Sequence, residues 1–131
     1  MHITISLTKV GVKNMAKFEN VDGITSITMD GIRVGCFCPI GKSMCTYNVT
    51  VRLKPNKWIP DYIEVEAMIK LLEGKTHTLE SACAKICNDI NGYIEPKKIS
   101  VTIICKDARH MPAKVEKTIN NKKRRQIHEK N

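Results

Sequence analysis

A chain of 131 residues, 42% hydrophobic and 27% charged, is the size of one globular domain with a core of its own. No apolar run approaches the roughly 18 residues that a membrane-spanning helix needs, so no membrane partner is expected. The formal net charge is +9, and +5 of it lies between Lys114 and Asn131, where seven Lys or Arg face two acids.

Met1-His2-Ile3-Thr4-Ile5-Ser6-Leu7 alternates apolar and polar residues and has no apolar h-region. It reads as a strand over Ile3 to Leu7, not as a signal peptide. A polar stretch runs to Asp22-Gly23, and a second strand begins near Ile24. The pair Asp30-Gly31 predicts a two-residue hairpin turn, because both central positions of such a turn need positive φ. Arg33 to Cys38 continues as strand until Pro39, which cannot donate to a ladder and ends it. Ile40 to Met44 reads as a loop. Cys45, Tyr47, Val49, Val51 and Leu53 alternate with polar residues, which predicts a strand with one buried face.

Asp61 is placed to cap a helix running to about Glu73, with Gly74 as its stop and Val65, Met68, Ile69 and Leu72 as its apolar stripe. Thr78 caps a second helix that stops at Gly92, with Leu79, Cys83, Ile86 and Ile90 facing the core. Ile99, Val101, Ile103 and Cys105 alternate as a further strand, and Ala113 to Ile119 as a last one. Strands, then two helices, then strands indicate an α+β layer fold: an antiparallel sheet with two helices packed on one face. The βαβα alternation and Gly-rich loops of nucleotide-binding folds are absent from the sequence.

Cys38-Pro39 closes a strand and opens a Gly/Ser/Lys loop. A thiol there can be exposed, with Lys42 or loop amides to favour the thiolate. The plainer reading is a small buried cysteine. Cys36, Cys38 and Cys45 form C-x-C-x6-C, and Cys83 and Cys87 lie one helical turn apart. This spacing matches no common zinc module, so no metal is expected. Glu80, in the first turn of the second helix, suits the helix dipole. It could equally accept hydrogen bonds from a purine-like edge. His77 and His110 are potential proton donors, although loop histidines are usually solvated. The run Lys122-Lys123-Arg124-Arg125 suits RNA phosphates or a solvated end. Six cysteines without a secretion signal point to a reducing, cytoplasmic setting.

These pieces together resemble the tunnelling-fold superfamily and, within it, 7-cyano-7-deazaguanine reductase. Cys38-Pro39-Ile40-Gly41-Lys42-Ser43-Met44-Cys45-Thr46-Tyr47, followed by an alternating strand, is similar to that family's nucleophile segment. Glu80 lies near the family's spacing for the glutamate that anchors the base. The element order matches one tunnelling-fold unit over 24–120, leaving 1–23 as an N-terminal extension and 121–131 as a basic tail. The resemblance implies a catalytic Cys38 forming a covalent thioimide with a nitrile, and Glu80 holding the deazaguanine. Cys45 stands where the family has its general-acid aspartate, and the resemblance leaves Cys45, His77 or a neighbouring subunit to supply the proton. The family's histidine before the glutamate is Leu79 here, with His77 nearby as a substrate-binding substitute. The NADPH motif of the family finds Glu64 in place, but Glu66 and Ile69 stand at its two lysine positions, and Lys70 is one residue out of register. Glu64 and Lys70 are thus the candidate contacts to NADPH, and weak or absent NADPH turnover is expected. An archaeosine-forming amidinotransferase relative, which lacks that motif and works on tRNA, fits the short chain and basic tail. A purine- or RNA-binding protein without catalysis is the third reading. Tunnelling-fold subunits join into barrels with sites between chains, so the resemblance also implies a homo-oligomer.

Overall fold

The period-two segments predicted for the middle and end of the chain form the centre of the molecule. The computed structural model describes residues 15–107 and 111–121, and the backbone of 3–4. Strand β4, Ser43–Lys54, buries Cys45, Tyr47, Val49, Val51 and Leu53. Strand β6, Lys98–Cys105, buries Ile99, Val101, Ile103 and Cys105 on the same side. The two pair antiparallel from Tyr47↔Cys105 to Lys54↔Lys98. Strand β3, Ile27–Cys38, flanks β4, and β7, Ala113–Asn120, flanks β6, giving a four-stranded sheet in the order β3-β4-β6-β7.

Helices α1, Tyr62–Lys70, and α2, Leu79–Ile94, fill the connection between β4 and β6. Their buried residues, among them Val65, Ile69, Ile86 and Ile90, join those of the strands in one core. The architecture is therefore the expected α+β layer, with burial of the shared apolar face as its main driving force. Asp61 caps α1 by accepting from Ile63 N at 2.9 Å, and Thr78 caps α2 by accepting from Ser81 N at 3.0 Å.

Four expectations are corrected. Asp30-Gly31 is not a hairpin turn but a β-bulge inside β3, where both residues oppose Thr50 between the pairs Met29↔Val51 and Ile32↔Val49. Gly31 has the expected positive φ of +76°, and Thr50 Oγ1 donates to Asp30 Oδ1 at 2.6 Å. The strand containing it begins at Ile27 rather than near Ile24. Helix α1 ends at Lys70, and a tight turn carries the chain from Leu71 to Gly74, which has φ +75°. Helix α2 runs through Gly92 to Ile94, because Tyr93 and Ile94 are fully buried and their packing outweighs the glycine's cost. Left-handed Glu95 and then Pro96 stop it.

A second, small sheet joins β1, Ile3–Thr4, β2, Lys17–Glu19, and β5, Trp58–Pro60, in the order β1-β2-β5. β2 and β5 are too short for periodicity to mark. Lys17 is buried there, with Nζ donating to the Tyr93 carbonyl at 3.2 Å and lying 4.8 Å from the centre of the Trp58 ring. The remainder of the strand expected at Ile3 to Leu7, His110 and the basic run Lys122 to Arg125 lie outside the described residues.

Candidate functional site

The end of β3 and the start of α2 are held together by backbone hydrogen bonds. Phe37 N donates to Lys75 O at 2.8 Å, and His77 N donates to Phe37 O at 3.1 Å. Gly74 N donates to Gly35 O at 2.8 Å. The segment after α1 thus runs alongside the last turn of β3 and delivers the N-terminus of α2 beside Cys38. On its other flank, β3 pairs with β4 as far as Cys38↔Ser43, across a short loop in which Lys42 has φ +52°.

These constraints enclose a cleft of about 270 Å³. Cys38, Cys45, Tyr47 and Cys105 line it from the sheet, and Leu79 and Glu80 from α2. Cys38 is 5% exposed, whereas Glu80 is exposed at the N-terminal turn of its helix. Of the residues expected from the sequence, Cys38, Cys45 and Glu80 therefore share one cavity. His77 does not line it: its ring Nδ1 lies 3.1 Å from Ser81 Oγ, and its carbonyl accepts from Tyr47 Oη at 2.8 Å. Glu64 and Lys70 stand on α1, also away from the cleft lining. Lys70 Nζ donates to the Arg33 carbonyl.

Burial sets the acid–base behaviour of the cleft floor. Burial raises the Tyr47 phenol well above its ordinary value, reinforced by the thiols of Cys38, Cys36, Cys45 and Cys105 around it. Burial pushes Cys36 up to about 11, with Glu73 adding to the effect. It likewise pushes Cys105 up to about 11, with Cys45 next in weight. Besides Cys45, which donates to Ser43 O at 3.7 Å, three thiols have carbonyl partners. Cys36 donates to Leu72 O at 3.5 Å, Cys83 to Val101 O at 3.2 Å and Cys87 to Lys117 O at 3.6 Å. These are structural thiols, and Cys83 and Cys87 do not complete a site with Cys45.

Two residues beside the cleft floor escaped the sequence reading. Cys105 is diagonal to Cys45 across the β4–β6 ladder, since its direct partner is Tyr47. Asp107, two residues later, accepts from Thr46 N at 2.9 Å through Oδ1 and at 3.2 Å through Oδ2. That backbone donor lowers the Asp107 pKa below the usual carboxylate value. Cys105 Sγ lies 3.5 Å from Asp107 Oδ1. Donor atoms of Cys45, Cys105 and Asp107 all fall within 4.8 Å of one another. The alternation that ends at Cys105 was readable, but the register that sets it beside Cys45 was not.

No protein-family model matches this chain, and no curated protein matches its sequence. Solved structures do match its fold. An archaeosine synthase, QueF-Like, in the apo form superposes with a TM-score of 0.68 at 17% identity, covering 72% of this chain and 93% of that one. The E. coli dihydroneopterin aldolase in complex with neopterin gives 0.62 at 7% identity, covering 74% and 100%. A dihydroneopterin aldolase from Burkholderia thailandensis bound to guanine gives 0.53 at 12% identity, covering 76% and 93%. At these identities the likeness shows the fold: the chain has the tunnelling fold.

Proposed function

We propose that this cleft binds a purine-like base and that Cys38 captures a nitrile carried on it, as in 7-deazaguanine metabolism. The observation that carries the reading is the meeting of Cys38 and Glu80 in one cavity from separate elements. Fold neighbours bound to neopterin and to guanine support a base of this class. In the reaction, the Cys38 thiolate attacks the nitrile carbon, one C–N π bond breaks, and the nitrogen takes a proton to give a neutral thioimide. The exposed Glu80 carboxylate accepts from the N–H edge of the base. Cys45, on the same wall, is the nearest counterpart of an acid. Attack by a thiol requires a reduced Cys38, which suits the cytoplasm.

Amidination fits better than reduction. Lys70 is engaged by the Arg33 carbonyl, and neither it nor Glu64 lines the cleft, which leaves NADPH without its expected partners. The archaeosine synthase likeness points the same way. On this reading the substrate is a nitrile-bearing tRNA, and Lys122 to Arg125 contact its phosphates. We further propose a homo-oligomeric barrel. β3 and β7 are the two edges of the four-stranded sheet, and Ile40 and Met111, 74% and 79% exposed, stand at the cleft where a second copy would cover them.

Binding without catalysis is the second reading, favoured by Cys45 where an acid is needed. Incubation with 7-cyano-7-deazaguanine followed by intact mass spectrometry decides between them. One ligand mass on the wild type and none on Cys38→Ala is the expected result. No adduct on a folded wild type that binds the base would establish the binding reading.

A further inference from the structure

We infer that Cys45, Cys105 and Asp107 form a binding site for a zinc ion whose open coordination position faces the cleft. Three donors come from two neighbouring strands and the turn that follows one of them. Cys45 lies on β4, Cys105 closes β6, and Asp107 returns toward β4 by accepting from Thr46 N. Their donor atoms lie within 4.8 Å of one another, and the Cys105 Sγ to Asp107 Oδ1 distance is 3.5 Å. Zinc bonds of about 2.3 Å to sulfur and about 2.0–2.2 Å to a carboxylate oxygen give tetrahedral edges of roughly 3.5–3.8 Å. The cluster is thus at, or a small side-chain rotation from, the spacing zinc requires.

The donor chemistry selects the metal. Two thiolates with one carboxylate suit zinc, whereas magnesium and calcium prefer oxygen donors throughout. Binding displaces one proton from each thiol. The +2 ion then meets three negative donors, leaving the centre at −1. The Thr46 N–H, shared between the two carboxylate oxygens, holds Asp107 in orientation, the role that outer hydrogen bonds play around metal ligands. Cys45 and Cys105 both line the cleft with Cys38, which sets two of the three ligands on the cavity wall. Three protein ligands and one exchangeable position are the arrangement of a zinc that meets a substrate donor, not of a closed structural site. With zinc bound, Cys45 is a ligand and not a proton donor, and the substrate's nitrogen or oxygen has the metal's open position before it.

The site rests on the walls of the proposed cleft and not on nitrile chemistry, so the two are tested apart. The full-length chain, purified reduced and freed of metal, is titrated with Co²⁺ while visible and near-ultraviolet absorption are read. The wild type takes up a single equivalent with tetrahedral d–d bands and thiolate-to-cobalt charge transfer, and Zn²⁺ displaces it. Cys105→Ser reduces the charge-transfer band. Asp107→Asn, which keeps an oxygen for Thr46 N, weakens binding by roughly tenfold or more, at least the size of an outer-shell loss. Cys38→Ala leaves the titration unchanged, whether or not the nitrile adduct forms. Thermal unfolding of each variant without metal establishes that it is folded. A folded wild type without the charge-transfer band, or uptake unaltered in both Cys105→Ser and Asp107→Asn, overturns the assignment.

Discussion

The phenol of Tyr47 donates a 2.8 Å hydrogen bond to the carbonyl of His77, fixing the floor of the cleft to the segment that starts α2. Both halves of the candidate site depend on that link, because Cys38 comes from the sheet and Glu80 from the helix. Tyr47→Phe keeps the buried ring and removes the donor. We expect a loss of about 0.5–1.5 kcal/mol of unfolding free energy, the net worth of a typical hydrogen bond, since this one is only partly buried, measured by denaturant titration. A change under a few tenths would mean that the link contributes nothing.

Glu80 offers a cleaner separation of binding from stability. It is exposed, and its helix-dipole contribution is worth at most about 1 kcal/mol. Glu80→Gln should therefore unfold almost as the wild type does. It should bind 7-cyano-7-deazaguanine roughly 10- to 100-fold more weakly by calorimetry, since a charge-assisted hydrogen bond is worth about 1.5–3 kcal/mol. Unchanged affinity would remove Glu80 from the base site.

The cofactor expectation is tested by absorbance. In the resemblance to 7-cyano-7-deazaguanine reductase, Glu66 and Ile69 fall where that family's cofactor motif has lysines. Nitrile-dependent NADPH oxidation by the wild type should stay at background. Sustained turnover would show that the motif reading is wrong and favour reduction.

Asp107 carries a pH signature in the metal-free protein. Its folded pKa lies below the ordinary 3.8, through the Thr46 N–H. The charged form is the one the fold favours, so its contribution is present above about pH 4 and is lost as pH falls through the lower folded value. Unfolding free energies of wild type and Asp107→Ala should differ most near neutrality and converge in acid. A gap that widened toward low pH would contradict the sign. Because the residue is exposed, the gap is expected to be small.

The basic tail bears on the tRNA branch. Truncation after Asn121 removes Lys122 to Arg125 and should weaken tRNA binding. The log–log salt slope should flatten by roughly 0.7–0.9 for each phosphate that the shortened chain no longer neutralises. Adduct formation with the free base should be unaffected. Equal slopes for the two chains would exclude the tail from substrate binding.

Much of the fold was legible because β4 alternates along its length and β6 carries Ile99, Val101, Ile103 and Cys105 at every second position, and because Asp61 and Thr78 are strong caps. The misreading at Asp30-Gly31 has a definite cause. That pair reports a positive φ, which a turn and a bulge both require, and only the distant partner Thr50 distinguishes them. Gly92 misled in the same way, because the burial of Tyr93 and Ile94 that carries the helix past it is tertiary. At the site, Cys38 and Glu80 were singled out in the sequence, by the Cys-Pro strand end and by the family resemblance, and the structure brings both to one cleft. Cys105 and Asp107 were not, since their closeness to Cys45 exists only through the register of β4 against β6.

The bulge has a consequence for the thiol. Before it, the inward residues of β3 are odd-numbered, Ile27 and Met29; after it they are even-numbered, Val34, Cys36 and Cys38. The extra residue resets the parity of the strand. Removing Gly31 would do more than shorten β3: it would force one half to turn over, exposing Ile27 or sending Cys38 to the face opposite α2. The side of the sheet on which Cys38 can react is therefore decided by a glycine seven positions upstream that touches no part of the cleft.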